Sequence, residues 1–307
     1  MKLSIMLEGQ NGLNWGHWKN WVSLAEDLGF YGLYRSDHFT NANPPDKDSL
    51  ELWVSLTYLA SQTKRIKFGP LVSPLSFRHP AHTARMAAAV DDLSGGRLKL
   101  GLGAGWQERE HQHYGFDLMT LKPRFNRFEE GLEVITKMLK SSAPFDFSGA
   151  YYNFKDVILL PRPERKNGPE ILIGGNGKKM TLPLVVKYAD EWNAVLIGQQ
   201  VLKDTSLYLD QLLKKQGREP SSVRRSMMTN LTYADSDRKL DQKLKGKSKS
   251  ELQNQGIIVG VGEEVIQQIK AYQSIGVEEI MLQWLDFEDI FGIQHFAKTI
   301  LPVFHQE

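Results

Sequence analysis

The 307-residue sequence predicts an α/β fold, a single (β/α)8 TIM barrel with insertion segments, on three observations. Short strand-like runs alternate with helical patterns from end to end, the order expected of βα units around a parallel sheet. About eight such units can be counted, the number at which such a sheet closes into a barrel. The length is that of a ~250-residue barrel carrying insertions.

The elements follow in order. Leu3–Leu7 reads as the first strand. Trp18, Trp21, Val22, Ala25 and Leu28 then recur at helical spacing, with Gly29 as a C-cap. Phe30–Tyr34 is the next strand and Leu50–Ser61 the next helix. Ile66–Val72 is a strand followed by the helix His79–Leu93. In the strand Arg97–Gly103, Leu98, Leu100 and Leu102 face one way and Lys99, Gly101 and Gly103 the other. Arg124–Lys140 is a long amphipathic helix. Glu170–Ile173, the helix Lys178–Ala189 and Glu191–Leu196 come next. A helix near Leu202–Gln216 leads to the strand Val223–Tyr233. The last pair is Glu263–Ser274 and Val277–Trp284, closed by a helix around Ile290–Ile300.

Three stretches break the alternation: residues 105–123, 141–168 and 235–259. They are too long for simple connections and read as lids or binding loops. The third holds Lys239, Lys243, Lys245, Lys247 and Lys249 among few apolar residues and reads as mobile. No interdomain linker interrupts the chain, so residues 1–307 form one domain.

Composition narrows the function. With 41% hydrophobic and 24% charged residues the chain is of ordinary globular type. A net charge of +2 is too balanced to argue for nucleic acid or a membrane surface as partner. The lack of cysteine removes disulfides, zinc–thiolate sites, iron–sulfur clusters and thiol nucleophiles together. Met1–Glu8 has the pattern of a strand, not of a signal peptide, and no stretch is long and apolar enough to span a bilayer. A cytoplasmic enzyme acting on a small molecule is the expectation.

In a parallel barrel, functional groups gather where strands end. After the first strand comes Glu8-Gly9-Gln10-Asn11-Gly12, which a plain turn explains. After the second, Arg35-Ser36-Asp37-His38 offers a carboxylate and an imidazole, with capacity for acid/base work, although loop capping would account for both. After the third, the prolines of Gly69-Pro70-Leu71-Val72-Ser73-Pro74 imply a bulged backbone. After the fourth, Gly101-Leu102-Gly103-Ala104-Gly105-Trp106 is no dinucleotide fingerprint: the third glycine comes one residue early and Asp117 ends no strand. Its alternate glycines bare one face to a flat ligand. After the fifth, Gly174-Gly175-Asn176-Gly177 runs into Lys178, Lys179 and a helix, and free backbone N–H groups there suit a phosphate. His111 and His113 lack a partnering carboxylate cluster, so no metal site is expected. A serine hydrolase elbow is absent.

Taken together these segments resemble the bacterial luciferase-like family, and within it the coenzyme F420-dependent oxidoreductases. The resemblance covers nearly the whole chain. It rests on Gly29–His38, on Gly69–Pro74 with Arg78-His79-Pro80-Ala81, and on Ser94–Leu98 running into Gly103–Trp106. Tyr151-Tyr152, Gly174–Gly177, Tyr188–Asn193 and Ile280–Gln283 extend it. It implies a flat deazaflavin, or FMN in the monooxygenase branch, held at the barrel mouth. Cofactor contacts are then implied for Asp37, Leu71, Val72, Ser73, Gly103, Ala104 and Gly105. A phosphate would rest on Gly174, Gly175, Asn176 and Gly177, and His38 would act as acid or base. The Leu71–Val72 bond is implied to be cis. A homodimer is implied, as is a flavin reductase partner if the cofactor is FMN. Glu191 stands where family members often have glycine, and a non-catalytic flavin-binding barrel is the third reading.

Overall fold

β1 (Lys2–Leu7) sets the pattern that the barrel repeats. Leu3, Ile5 and Leu7 join the main core beneath the helices, while Met6 turns into the lumen against Tyr34, Leu71, Leu172 and Met281. That alternation is the pleat of a strand buried on both faces. The protein is described by a computed structural model over residues 1–304.

α1 (Trp15–Asp27) follows, its first turn capped by Asn14 Oδ1, which accepts the His17 N–H. β2 (Gly32–Arg35), α2 (Leu52–Gln62), β3 (Lys67–Pro70), β4 (Ser73–Pro74), α3 (Pro80–Leu93) and β5 (Lys99–Gly103) continue the alternation. Next come α4 (Glu108–Tyr114), α5 (Leu121–Lys140), the antiparallel hairpin β6 (Phe145–Ser148) and β7 (Asn153–Val157), and β8 (Glu170–Gly174). α6 (Thr181–Tyr188), β9 (Glu191–Val195), α7 (Gln199–Lys215) and β10 (Arg224–Ala234) precede α8 (Asp237–Leu244), α9 (Lys249–Asn254) and β11 (Ile258–Val261). α10 (Gly262–Ser274), β12 (Glu279–Gln283) and α11 (Ile290–Phe304) complete the chain.

The sheet order is β3-β2-β1-β12-β10-β9-β8-β5-β4, and its pairings are parallel. β4 pairs with β5, and a bridge from Phe68 to Leu98 joins β3 to β5 as well. β3 and β4 are therefore two halves of one stave, and the ring closes with eight. The sequence reads the strand as running to Val72, whereas the ladder stops at Pro70 and resumes at Ser73. The bulge expected there is present, and the Leu71–Val72 bond is cis, as the resemblance implied.

Two helix boundaries differ from expectation. α5 starts at Leu121, about a turn early, because Pro123 lies in the first turn, where its missing N–H has no intrahelical partner to lose. α6 starts at Thr181, and Lys178–Met180 form a turn ahead of it.

The insertions are structured. Within residues 141–168 the β6–β7 hairpin lies beside α5. The Glu130 carboxylate holds its turn by accepting the N–H groups of Ala150 and Tyr151 at 2.9 Å each. Residues 235–259, read from the sequence as mobile, carry α8, α9 and the start of β11. Leu240 and Leu244, four apart on α8, pack with Leu252 and Val259 against Ala234 in a core of their own. The lysines lie on the other faces, so average polarity concealed an amphipathic helix. No helix among the described residues is long and apolar enough to cross a membrane.

An ion cluster fills the amino-terminal end of the lumen. Lys99 Nζ donates to Glu191 Oε2 at 2.7 Å and Glu279 Oε2 at 2.6 Å, and Ser4 Oγ donates to Glu279 Oε1 at 2.7 Å. Arg224 bridges Glu191 and Glu170 at the same end. Burial works against the Lys99 ammonium, but the two carboxylates outweigh it and raise its pKa. Burial, opposed by Lys99 and reinforced by Glu191, holds the Glu279 carboxyl above the usual carboxylate range. Glu191 is the first residue of β9 and sits far from the mouth. Its place in the sequence motif reflects a charge partner for Lys99, not a lost site.

Candidate active site

At the opposite end, the carboxyl end of β2 delivers Ser36, Asp37 and His38 to the mouth. Ser36 is fixed first: its N–H donates to the Leu7 carbonyl at 3.1 Å and its Oγ to Gln10 Oε1 at 2.8 Å. His38 Nδ1 then meets Glu110 Oε1 at 2.8 Å, and Glu110 Oε2 accepts the Phe39 N–H at 3.0 Å. Glu110 is 1% exposed, on α4. Such a carboxylate fixes the tautomer with the proton on Nδ1 and stabilises the imidazolium, leaving Nε2 free. Among the described residues Nε2 has no hydrogen-bond partner. Burial pushes the His38 pKa down, but Glu110, followed by Glu8 and Asp37, outweighs it, and the net shift is upward. The ring meets Trp106 edge-on at 5.6 Å, and Trp106 is 63% exposed at the rim.

Asp37 is buried and occupied. Its Oδ2 accepts from Ser73 Oγ at 2.7 Å and from Arg78, and its Oδ1 accepts from Arg78 Nη2 at 3.1 Å. Arg78 Nη2 also reaches Glu51 Oε1 at 2.9 Å. Burial raises the Asp37 pKa beyond what Arg78 and Ser73 recover. Asp37 thus ties β4 to the end of β2, and Arg78, a residue sequence reasoning did not place in the site, completes the corner.

The reading of Gly101 and Gly103 as a face bared to a ligand is corrected. A Cβ on Gly101 would lie 2.1 Å from the Pro70 carbonyl oxygen, and one on Gly103 would lie 2.7 Å from Val72 Cγ2. Protein, not ligand, takes that space. A Cβ on Gly174 would likewise lie 3.1 Å from Val72 Cγ1. The bulge Leu71-Val72-Ser73 is therefore seated in a socket of glycines on β5 and β8. Ala104 is half-buried against the main core. Gly105 has φ +84°, and a Cβ there would lie 2.8 Å from Ser76 Oγ, so only glycine fits.

The Gly174–Gly177 turn is held from one side. Asn176 Nδ2 donates to the Val195 carbonyl at 2.7 Å and Asn176 Oδ1 accepts the Val195 N–H at 3.0 Å, so the side chain pairs with the end of β9. The Gly175 N–H is spent on the Asn193 carbonyl at 3.0 Å. The N–H groups of Asn176, Gly177 and Lys178 have no acceptor among the described residues. They precede α6, where positive helix-dipole ends and free donors favour an anion. The Asn176 side chain is spent on Val195, so the free donors this turn offers are backbone N–H groups.

Both ring nitrogens of His111 are engaged, with the Gln107 carbonyl at 2.7 Å and Ser76 Oγ at 2.8 Å, and His113 is exposed on another face of α4. Among the described residues no group of three or more His, Asp or Glu is placed to hold an ion. Glu110 and Glu8, which accepts from Gln283 and Gln10 at the rim, were missed by sequence reasoning. Glu110 had a signal: Gly115 closes a short helix at φ +71°, which turns residues 108–114 from a structureless insertion into a placed element.

Comparison with known proteins agrees with the fold. The chain is 26% identical over 312 residues to an F420-dependent glucose-6-phosphate dehydrogenase of Amycolatopsis mediterranei (strain U-32), covering 91% of each chain. It is 24% identical over 316 residues to an FMNH(2)-dependent dimethylsulfone monooxygenase of Pseudomonas putida, covering 92% of this chain and 86% of the relative. An F420-dependent secondary alcohol dehydrogenase, solved with an F420-acetone adduct, superposes with TM-score 0.82 at 19% identity over 99% of both chains, a likeness of fold. Residues 1–253 match the model of the luciferase-like monooxygenase family, and the chain is an enzyme that belongs to that family.

Proposed function

We propose that this chain is an oxidoreductase that moves hydride between coenzyme F420 and a small organic substrate at the mouth of the barrel. The observation that carries the reading is the His38–Glu110 pair with its free Nε2. A hydride transfer to or from a carbon bearing oxygen or nitrogen needs one proton moved alongside it, and this pair is built to move one. An F420-dependent relative aligned over 91% of this chain supports the choice of cofactor.

The residues present fit a flat cofactor with a phosphate. Unpartnered N–H groups at Asn176, Gly177 and Lys178 suit the phosphate, and the Val72 bulge is seated firmly enough on Gly103 and Gly174 to back a ring. When bound, the deazaflavin supplies the hydride acceptor or donor. His38 Nε2 takes the proton of a substrate hydroxyl in the oxidising direction and returns it in the reducing one, while Glu110 stabilises the imidazolium between. Trp106 meets the His38 ring at the rim, and Phe39, next in the chain, packs with Phe77, Tyr114 and Phe116 beside the dyad. A homodimer, with insertion segments at its interface, is part of the proposal, and neither nucleic acid nor membrane is.

The FMN-dependent monooxygenase reading has its own support in the Pseudomonas putida relative. In that reading FMN would be held at the same barrel mouth, and a flavin reductase partner would supply it reduced. Titrating the protein separately with F420 and FMN, followed by cofactor fluorescence, tests the choice. Saturable F420 binding is expected. Tight FMN binding with none for F420 would overturn the proposal. Oxidation of reduced F420 with a panel of enones or imines would dismiss the non-catalytic barrel.

A further inference from the structure

α4 has seven residues, Glu108–Tyr114, too short to hold a helix or a position by its own hydrogen bonds. Its place is set from outside, and the ties converge on one partner, the loop of residues 38–46 that begins at His38. Gln107, its N-cap residue, donates from Nε2 to the Thr40 carbonyl at 2.9 Å and to Thr40 Oγ1 at 3.3 Å, both buried. Arg109 Nη1 donates to the Asn41 carbonyl at 2.9 Å and to Asp46 Oδ1 at 2.6 Å, and Nη2 reaches Asp46 Oδ2 at 2.6 Å. Glu110 reaches His38 and Phe39. Side chains 107, 109 and 110 therefore all fasten the same loop, the last of them at the working imidazole. On the far side, His111 Nε2 meets Ser76 Oγ at 2.8 Å and its ring packs on Phe77 at 4.7 Å.

We propose that α4 is a clamp whose ties through Gln107 and Arg109 set how firmly Glu110 holds His38, making these two positioning residues of the acid/base dyad. The proposal rests on the reading of His38 as the proton-handling group. The two ties differ in kind. The Gln107 tie is buried and insensitive to salt. The Arg109–Asp46 pair has side-chain exposures of 22% and 45%, so ions screen it. The charged groups facing His38 are Glu110 on α4, Glu8 after β1 and Asp37 beside it after β2. Glu110 is the one among them that touches the ring and rides on the clamp.

The test reads the His38 ring by NMR titration in the cofactor-free protein, where no assumption about cofactor or substrate enters. Arg109→Gln is the decisive variant, because the two explanations differ in sign. Removing a positive charge, with Asp46 left unpaired, raises a histidine pKa through space. Loosening the clamp lowers it, because Glu110 loses its hold. We expect a fall of about 0.3 to 0.7 units, the size an exposed pair can transmit. Glu110→Gln should give a larger fall, and Arg109→Gln added to it should give no further fall. Gln107→Ala should lower the pKa too, while the titration of His79, outside the clamp, stays in place. A rise or no change with Arg109→Gln, or an equal fall in the Glu110→Gln background, overturns the proposal. Full turnover by a His38→Ala enzyme would refute the catalytic reading while leaving the clamp measurement intact, so the two failures are distinguishable.

Discussion

His38 Nδ1 and Glu110 Oε1, separated by 72 positions in the chain, lie 2.8 Å apart at the barrel mouth. Because the contact uses Nδ1, His38→Ala should leave cofactor affinity close to that of the parent enzyme. Turnover should fall by roughly 10²- to 10⁴-fold, the usual share of a general acid or base. Fluorescence titration and steady-state rates on the same preparation check both halves. Unchanged turnover would end the proposed role.

The same contact sets a pH dependence. With its pKa raised, His38 is protonated to higher pH than a free histidine, so the base form gathers only above that raised value. Oxidation of an alcohol, which needs the base, should rise with pH through it, and the reverse reduction should fall. Glu110→Gln should move both limbs to lower pH. For stability the sign is fixed by linkage: a raised histidine pKa stabilises the fold below the unfolded value, and the gain is lost as pH rises through the folded one. A kcat profile in which Glu110→Gln leaves the limbs in place would contradict this account.

Asp37→Ala removes the acceptor shared by Ser73 and Arg78. Breaking a buried pair by deleting one partner typically costs about 3–5 kcal/mol. Here Glu51 still engages Arg78, which places the loss toward the lower end. Chemical denaturation should show it, and cofactor affinity should weaken because β4 and the bulge lose their tie to β2.

Gly103→Ala would place a methyl 2.7 Å from Val72 Cγ2. Overpacking of this kind costs about 1–3 kcal/mol. The bulge must shift toward the mouth, so cofactor affinity should fall more than stability does. The paired replacement with Val72→Ala should recover part of it, as a double-mutant cycle would measure.

Lys99→Met should destabilise by about 3–5 kcal/mol, since it leaves the Glu191 and Glu279 carboxylates buried together. The Glu279 carboxyl, already held above the usual carboxylate range, then loses the ammonium that favours its ionised form, so this variant should regain stability as pH falls from neutral. The pH dependence of turnover should stay as in the parent enzyme, because the cluster lies at the other end of the lumen. A shifted profile would mean that the two ends communicate.

The barrel was legible because hydrophobic period is a local property. β1, β9 and β12 fall within a residue or two of where alternation puts them. Asp37 and His38 were legible as a strand end. Glu110 was not, because its value depends on a loop fold that brings residue 110 to residue 38. Arg78 was visible as a letter but not as the partner of Asp37, for the same reason. The alternate glycines on β5 misled: a bare strand face looks alike whether a ligand or a neighbouring bulge fills it. The lysine-rich insertion misled because five lysines outweighed the three leucines that anchor it.

The amide of Asn176 takes both rungs that a further strand residue would offer to Val195. The turn it holds is thereby ordered before any anion arrives. Under the proposed function an incoming phosphate would meet donors that need no gathering, so little of its binding free energy would go into fixing backbone. The site would then act as a rigid template, and ligands that share the phosphate but differ in the ring could be compared on the ring alone.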